Sequence, residues 1–120
     1  MEREELKEFL ERNAETQVVQ QNENHCHYTK NSITTICTLD PTKKFVSMES
    51  RTTYTGRNQT ELMHKFIEEN NKNKWGVYFL GEAGVTYRSV ICVPNFDARW
   101  DLIRKLVEVH ANPHLFAFVN

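Results

Sequence analysis

Residues 74–110 restrict the fold more than any other stretch of the chain. Residues 75–80 (Trp-Gly-Val-Tyr-Phe-Leu) are an unbroken apolar run, and Gly81, Glu82, Ala83 and Gly84 after it supply turn chemistry. Val85, Tyr87, Ile91 and Val93 then recur at period two, the spacing of one face of a strand. Pro94 and Asn95 break that strand, and Trp100, Ile103, Val107 and His110 follow at helical spacing. Such a segment demands a sheet with a helix packed on it. It leaves the chemistry open.

The rest of the chain falls around this segment. Residues 2–13 read as a helix with a narrow stripe of Leu6, Phe9 and Leu10, and Glu2, Glu4 and Glu5 suit its positive end. Val18 and Val19 centre a short β-like stretch, and residues 25–28 begin a strand that Thr29, Lys30, Asn31 and Ser32 either interrupt or continue. Residues 32–39 are a β-branched run of strand preference. Asp40, Pro41, Thr42 and Lys43 form a turn. In the strand expected over 44–54, Val46, Met48, Ser50, Thr52 and Tyr54 share one side. Phe45, Ser47, Glu49, Arg51 and Thr53, mostly polar, share the other. An antiparallel sheet can leave such a side to solvent or to a partner. Asn58 and Glu61 have capping-box spacing, and Leu62/Phe66 with Met63/Ile67 mark the buried rows of a helix ending near Asn70. The last helix spans 97–110 and stops before Pro113. Residues 115–119 (Leu-Phe-Ala-Phe-Val) form an apolar tail, either a strand on a sheet edge or a segment kept for a partner.

The fold expected is α+β: one antiparallel sheet of about five strands with helices on one face, in the order α-β-β-β-α-β-β-α, with room for a short C-terminal strand. With no repeat and no linker, residues 1–120 read as a single domain. This order of elements is similar to that of type III secretion chaperones and of the small YbjN-like regulators. The resemblance is one of topology and implies the fold alone. The first five elements also resemble the α-β-β-β-α order of a double-stranded-RNA-binding domain. However, the second helix opens with Asn58, Gln59, Thr60 and Glu61 where such a domain needs basic residues.

Composition removes several classes of function. A charged fraction of 26% beside an apolar fraction of 39% belongs to a packed globular chain, not a disordered one. A net charge of −1 argues against a strongly basic nucleic-acid module. No apolar run is long enough for a membrane span, and the charged first residues are not those of a signal peptide. Cys26, Cys37 and Cys92, odd in number and far apart, read as reduced thiols of a cytoplasmic protein. The eleven asparagines fall almost entirely between periodic segments, where they cap helices and tolerate left-handed backbone.

Candidate chemistry is sparse. His25 and His27 would point the same way from a strand and could share a metal, but a tetrahedral site needs further ligands from elsewhere. His110 and His114 are separated by Pro113, so His110 is expected to cap the helix electrostatically. No cysteine opens a helix, and Glu4/Glu5 and Glu68/Glu69 lie on solvated helix faces. No cofactor is implied. Residues 30–88 hold nine bases against six acids, so Lys43, Lys44, Arg57, Lys72, Lys74 and Arg88 could form a mild positive surface. Tyr54, Tyr78 and Tyr87 are interleaved with them for base stacking.

The leading expectation is a non-catalytic cytoplasmic module that docks on another protein or on its own copy as a homodimer. It would be an adaptor, chaperone or inhibitor, of the kind phages direct at host machinery. The expected contact residues are Phe45, Arg51 and Tyr87 on the free strand face, with Leu115, Phe116 and Phe118 of the tail. The alternatives are nucleic-acid or nucleotide binding through the basic–aromatic surface, and a metal-dependent enzyme built on His25 and His27.

Overall fold

A computed structural model describes residues 2–42, 44–54, 56, 58–82, 84–93 and 100–119. The elements are α1 (Arg3–Ala14), β1 (Val19–Gln20), β2 (His25–Lys30), β3 (Ile33–Leu39), β4 (Phe45–Thr52), α2 (Gln59–Lys72), β5 (Val77–Gly81), β6 (Gly84–Cys92) and α3 (Trp100–His110). The strands form one six-stranded antiparallel sheet in the order β1-β2-β3-β4-β6-β5. This is the α+β layout expected, with a two-residue first strand added at the edge. Among the described residues no helix is long and apolar enough to cross a membrane.

Local chemistry fixes the turns. Asn31 and Ser32 both have positive φ (52° and 64°), so β2 and β3 are joined by a two-residue turn, not by a continued strand. Asp40 gathers the amides of Thr42, Lys44 and Phe45 onto its carboxylate before β4. These hydrogen bonds, with that of the Thr42 hydroxyl first, hold the Asp40 carboxyl below its ordinary range. Asn58 caps α2 by accepting the Glu61 amide at 3.0 Å.

The side chains that line the helix-covered face follow from the register. Cys26, Tyr28, Thr35, Cys37, Leu39, Val46, Met48, Ser50, Val85, Tyr87, Ser89 and Ile91 are all buried there. The core has two parts. One packs α1 and α3 over β2, β3 and β4, with Phe9 stacked on Trp100 at 4.4 Å. The other gathers Leu62, Phe66, Tyr78, Val85 and Tyr87 with the tail residues Leu115 and Val119.

A buried polar seam runs between the two parts. His110, fully enclosed, bridges Ser50 Oγ (2.7 Å to Nδ1) and Ser89 Oγ (2.9 Å to Nε2). Ser50 continues to Thr35 Oγ1 at 2.7 Å. Burial lowers the His110 pKa to about 4, so the ring is neutral, and the hydroxyls satisfy either tautomer. The expectation of an electrostatic helix cap at His110 is therefore corrected: the ring points into the core, away from the open end of α3.

The tail also differs from the strand for which the sequence left room. Residues 112–119 are successive turns, with Leu115, Ala117 and Val119 donating to the carbonyls three residues back. Leu115 and Val119 are buried, Phe116 and Phe118 half-buried, and both rings pack edge-on against Tyr78. A tail so anchored is part of the fold and not a free segment.

At its outer rim the β5 edge is closed by a side chain. Asn70 of α2 donates to the Tyr78 carbonyl (3.1 Å) and accepts the Tyr78 amide (2.7 Å), as a neighbouring strand would.

Candidate functional site

All three helices lie on one side of the sheet, so among the described residues no helix covers the opposite face. Along β4 and β6 it carries Phe45 beside Cys92, Ser47 beside Val90, Glu49 beside Arg88 and Arg51 beside Thr86. β5 adds Val77 and Phe79. This face exposes large apolar groups at one end: Val90 (55%), Val77 (54%) and Phe45 (46%), with Phe79 and Trp75 next to them. Single exposed apolar residues are ordinary, but several in one place mark a contact surface.

The chain before β5 shapes this end. Asn73 Oδ1 accepts the amides of Trp75 (2.8 Å) and Gly76 (3.1 Å) and the hydroxyl of Tyr87 (2.6 Å). These bonds fold residues 73–76 into a tight turn. Gly76 is required there, because a Cβ would lie 2.6 Å from the Arg88 carbonyl oxygen and 2.7 Å from the Tyr87 ring. β5 therefore begins only at Val77, opposite Arg88, while β6 runs on to Cys92. The gap is a depression of about 590 Å³ lined by Trp75, Val77, Phe79, Arg88 and Val90, with Lys74 at its side. Both ionic groups that line it are cations.

Charge on this face is unevenly balanced. Glu49 alone serves two guanidinium groups, Arg51 at 3.0 Å and Arg88 at 3.5 Å. Lys105 from α3 stands 5.9 Å from the Trp75 ring centre.

The expected contact residues divide. Phe45 and Arg51 lie on the uncovered face as expected. Tyr87 does not: it is wholly buried on the other face, beside Tyr78 and His110. Its hydroxyl holds the Asn73 turn, so it shapes the depression without lining it. Leu115, Phe116 and Phe118 belong to the second part of the core, remote from this face.

Of the basic set, Lys74 and Arg88 meet at the depression. Lys44 is exposed next to Phe45, Lys72 pairs with Glu69, and Lys43 and Arg57 lie outside the described residues. Tyr78 and Tyr87 are core residues whose phenol pKa values burial raises, so they cannot stack on bases. His25 and His27 do share the uncovered face of β2, but His25 Nδ1 is engaged by Asn22 Oδ1 (2.9 Å). No third ligand joins them among the described residues.

Sequence reasoning missed Val77, Phe79, Val90 and Trp75 as a site. A signal was present: the run 75–80 lacks alternation, so both faces of β5 had to be apolar although only one could be covered.

No protein-family model matches the chain, and no curated protein matches it by sequence. Among solved structures, the chain is similar in fold to a chain in the structure of the HopA1-SchA chaperone-effector complex. The TM-score is 0.55 at 12% identity, over 90% of this chain and 91% of that one. At that identity the likeness is one of fold.

Proposed function

We propose that the 120 residues act as one domain whose task is to bind another protein through the uncovered end of the sheet. The observation that carries this reading is the gathering of Val77, Phe79, Val90 and Trp75 in the open around a single depression, with exposed Phe45 on the same face of the sheet. Fully burying each aliphatic or aromatic group of this kind is worth about 1.5–3 kcal/mol. A partner covering three of them therefore gains enough to offset part of the entropy of association. The similar fold found in a chaperone-effector complex supports a protein as the partner over other ligands. The role is that of an adaptor or chaperone.

The test is site-specific photocrosslinking in cells, with a benzophenone amino acid at position 77 or 90 and a control at exposed Glu108. Adducts to one defined polypeptide from 77 and 90, absent from 108, are expected, and the adduct from 90 should be lost in Val77→Glu. Equal labelling from all three positions would overturn the reading.

A further inference from the structure

The uncovered surface ends at a strand that has lost its neighbour. β6 pairs with β4 along its whole length, from Val85 opposite Thr52 to Cys92 opposite Phe45. On its other side β5 accompanies it only from Gly84 to Arg88. Among the described residues, 89–92 thus have one strand partner, β4, and the depression lies on their other side.

The direction of the free backbone groups can be worked out. The Tyr78 amide and carbonyl bond Asn70, so they point away from β6. Val77 and Phe79, one residue to either side, must then point toward β6, at Arg88 and Thr86. On β6 the even-numbered residues accordingly face β5, and Val90 and Cys92 aim their N–H and C=O groups into the gap. The odd-numbered residues face β4, as the Val93 amide bonded to the Lys44 carbonyl (2.6 Å) confirms.

Resting on the protein-binding reading above, we infer that the partner contributes an extended segment bearing acidic residues. It adds as a strand beside residues 89–92 of β6, in line with β5. Its backbone pairs with Val90 and Cys92, and its outward apolar side chain settles among Trp75, Val77 and Val90. Its acidic side chains meet Lys74 and Arg88. Both ionic side chains lining the gap are cations, and Arg88 shares the Glu49 carboxylate with Arg51. The free backbone groups of the β6 edge, with the exposed aliphatic Val77 and Val90 beside them, favour a polypeptide that can pair as a strand.

Fluorescence anisotropy with synthetic probes tests this. The first probe is a short labelled peptide alternating glutamate with valine and phenylalanine. The second replaces glutamate by lysine, and the third is the first with its central amides N-methylated. The glutamate peptide should bind, and the other two should bind at least about tenfold more weakly. The double variant Lys74→Glu/Arg88→Glu should weaken the glutamate peptide by a similar factor and favour the lysine one. In NMR spectra the Val90 and Cys92 amides should shift and gain protection from exchange.

Equal binding of the N-methylated peptide, equal binding of the lysine peptide, or tighter competition by single-stranded DNA would each overturn the inference. So would a Val90-dependent homodimer that excludes the peptides. If benzophenone at 77 and 90 still captures a defined protein under any of those results, the binding reading survives and only this mode of docking falls.

Discussion

Acid should destabilise this protein through His110 by an amount the structure allows to be worked out. The ring is enclosed, held between Ser50 and Ser89 and packed on Tyr87, and no carboxylate is among these contacts. Its pKa is lowered to about 4 in the fold. In the unfolded chain it returns to about 6.5. Between those values the unfolded state takes up a proton that the native state refuses, so stability falls as pH falls. The contribution is complete above pH 6.5 and is lost on the way down to pH 4, at about 1.4 kcal/mol per pH unit. From pH 7 to pH 4.5 the loss is about 2.5 kcal/mol, a large part of a small domain's total.

Other histidines and carboxylates titrate as well, so the measurement is a difference. Urea unfolding of the natural protein and of His110→Gln at both pH values isolates the ring. His110→Gln should be the less stable at pH 7, because one hydroxyl of the seam loses its partner. The gap between the two proteins should shrink by about 2.5 kcal/mol at pH 4.5. A gap that stays constant with pH would show that His110 is protonated in the fold or solvated, and the reasoning would fail.

Three further outcomes are expected. Asn73→Ala removes the acceptor of three donors, one of them the buried Tyr87 hydroxyl, and should cost about 1–3 kcal/mol in urea unfolding; an unchanged midpoint would contradict the role given to this turn. Ser32→Gly relieves a left-handed backbone and should raise stability by about 0.5–1 kcal/mol, whereas a loss would argue against the two-residue turn. A thiol reagent should modify exposed Cys92 at once and buried Cys26 and Cys37 only on unfolding, which mass spectrometry resolves; rapid modification of all three would place β2 and β3 outside the core.

The parts of the fold that could be read in advance are those with an unambiguous period. Alternation in residues 44–54 assigned both faces of β4 correctly, and Phe45 and Arg51 lie on the open side as it required. The same rule placed Tyr87 with Val85 and Ile91 on the core side. Treating it as a contact residue set a residue-type preference above the geometry, and the geometry prevailed. His110 stood four residues after Leu106 and three after Val107, on the buried stripe of α3. Its neighbours in sequence hid the hydroxyls of Ser50 and Ser89 that make burial tolerable. The turn at Asn31 was obscured because Ser32 stands where glycine usually follows. The tail gave no period at all, and five apolar residues suit a strand or a string of turns equally well. The depression was the least legible feature. It arises where two strands of unequal length meet, and register across β5 and β6 is a property of pairing that neither segment carries alone.

Asn70 has a consequence for how this sheet meets other molecules. A bare lateral rim invites any passing β-segment, including another copy, to extend the array without limit. Here an amide group impersonates one residue of an adjoining strand, and lateral growth past Tyr78 is stopped by a group that cannot itself be extended. Along this side of the sheet the entrance lies where β5 falls short, so the feature that discourages indiscriminate stacking also directs a genuine guest to that gap.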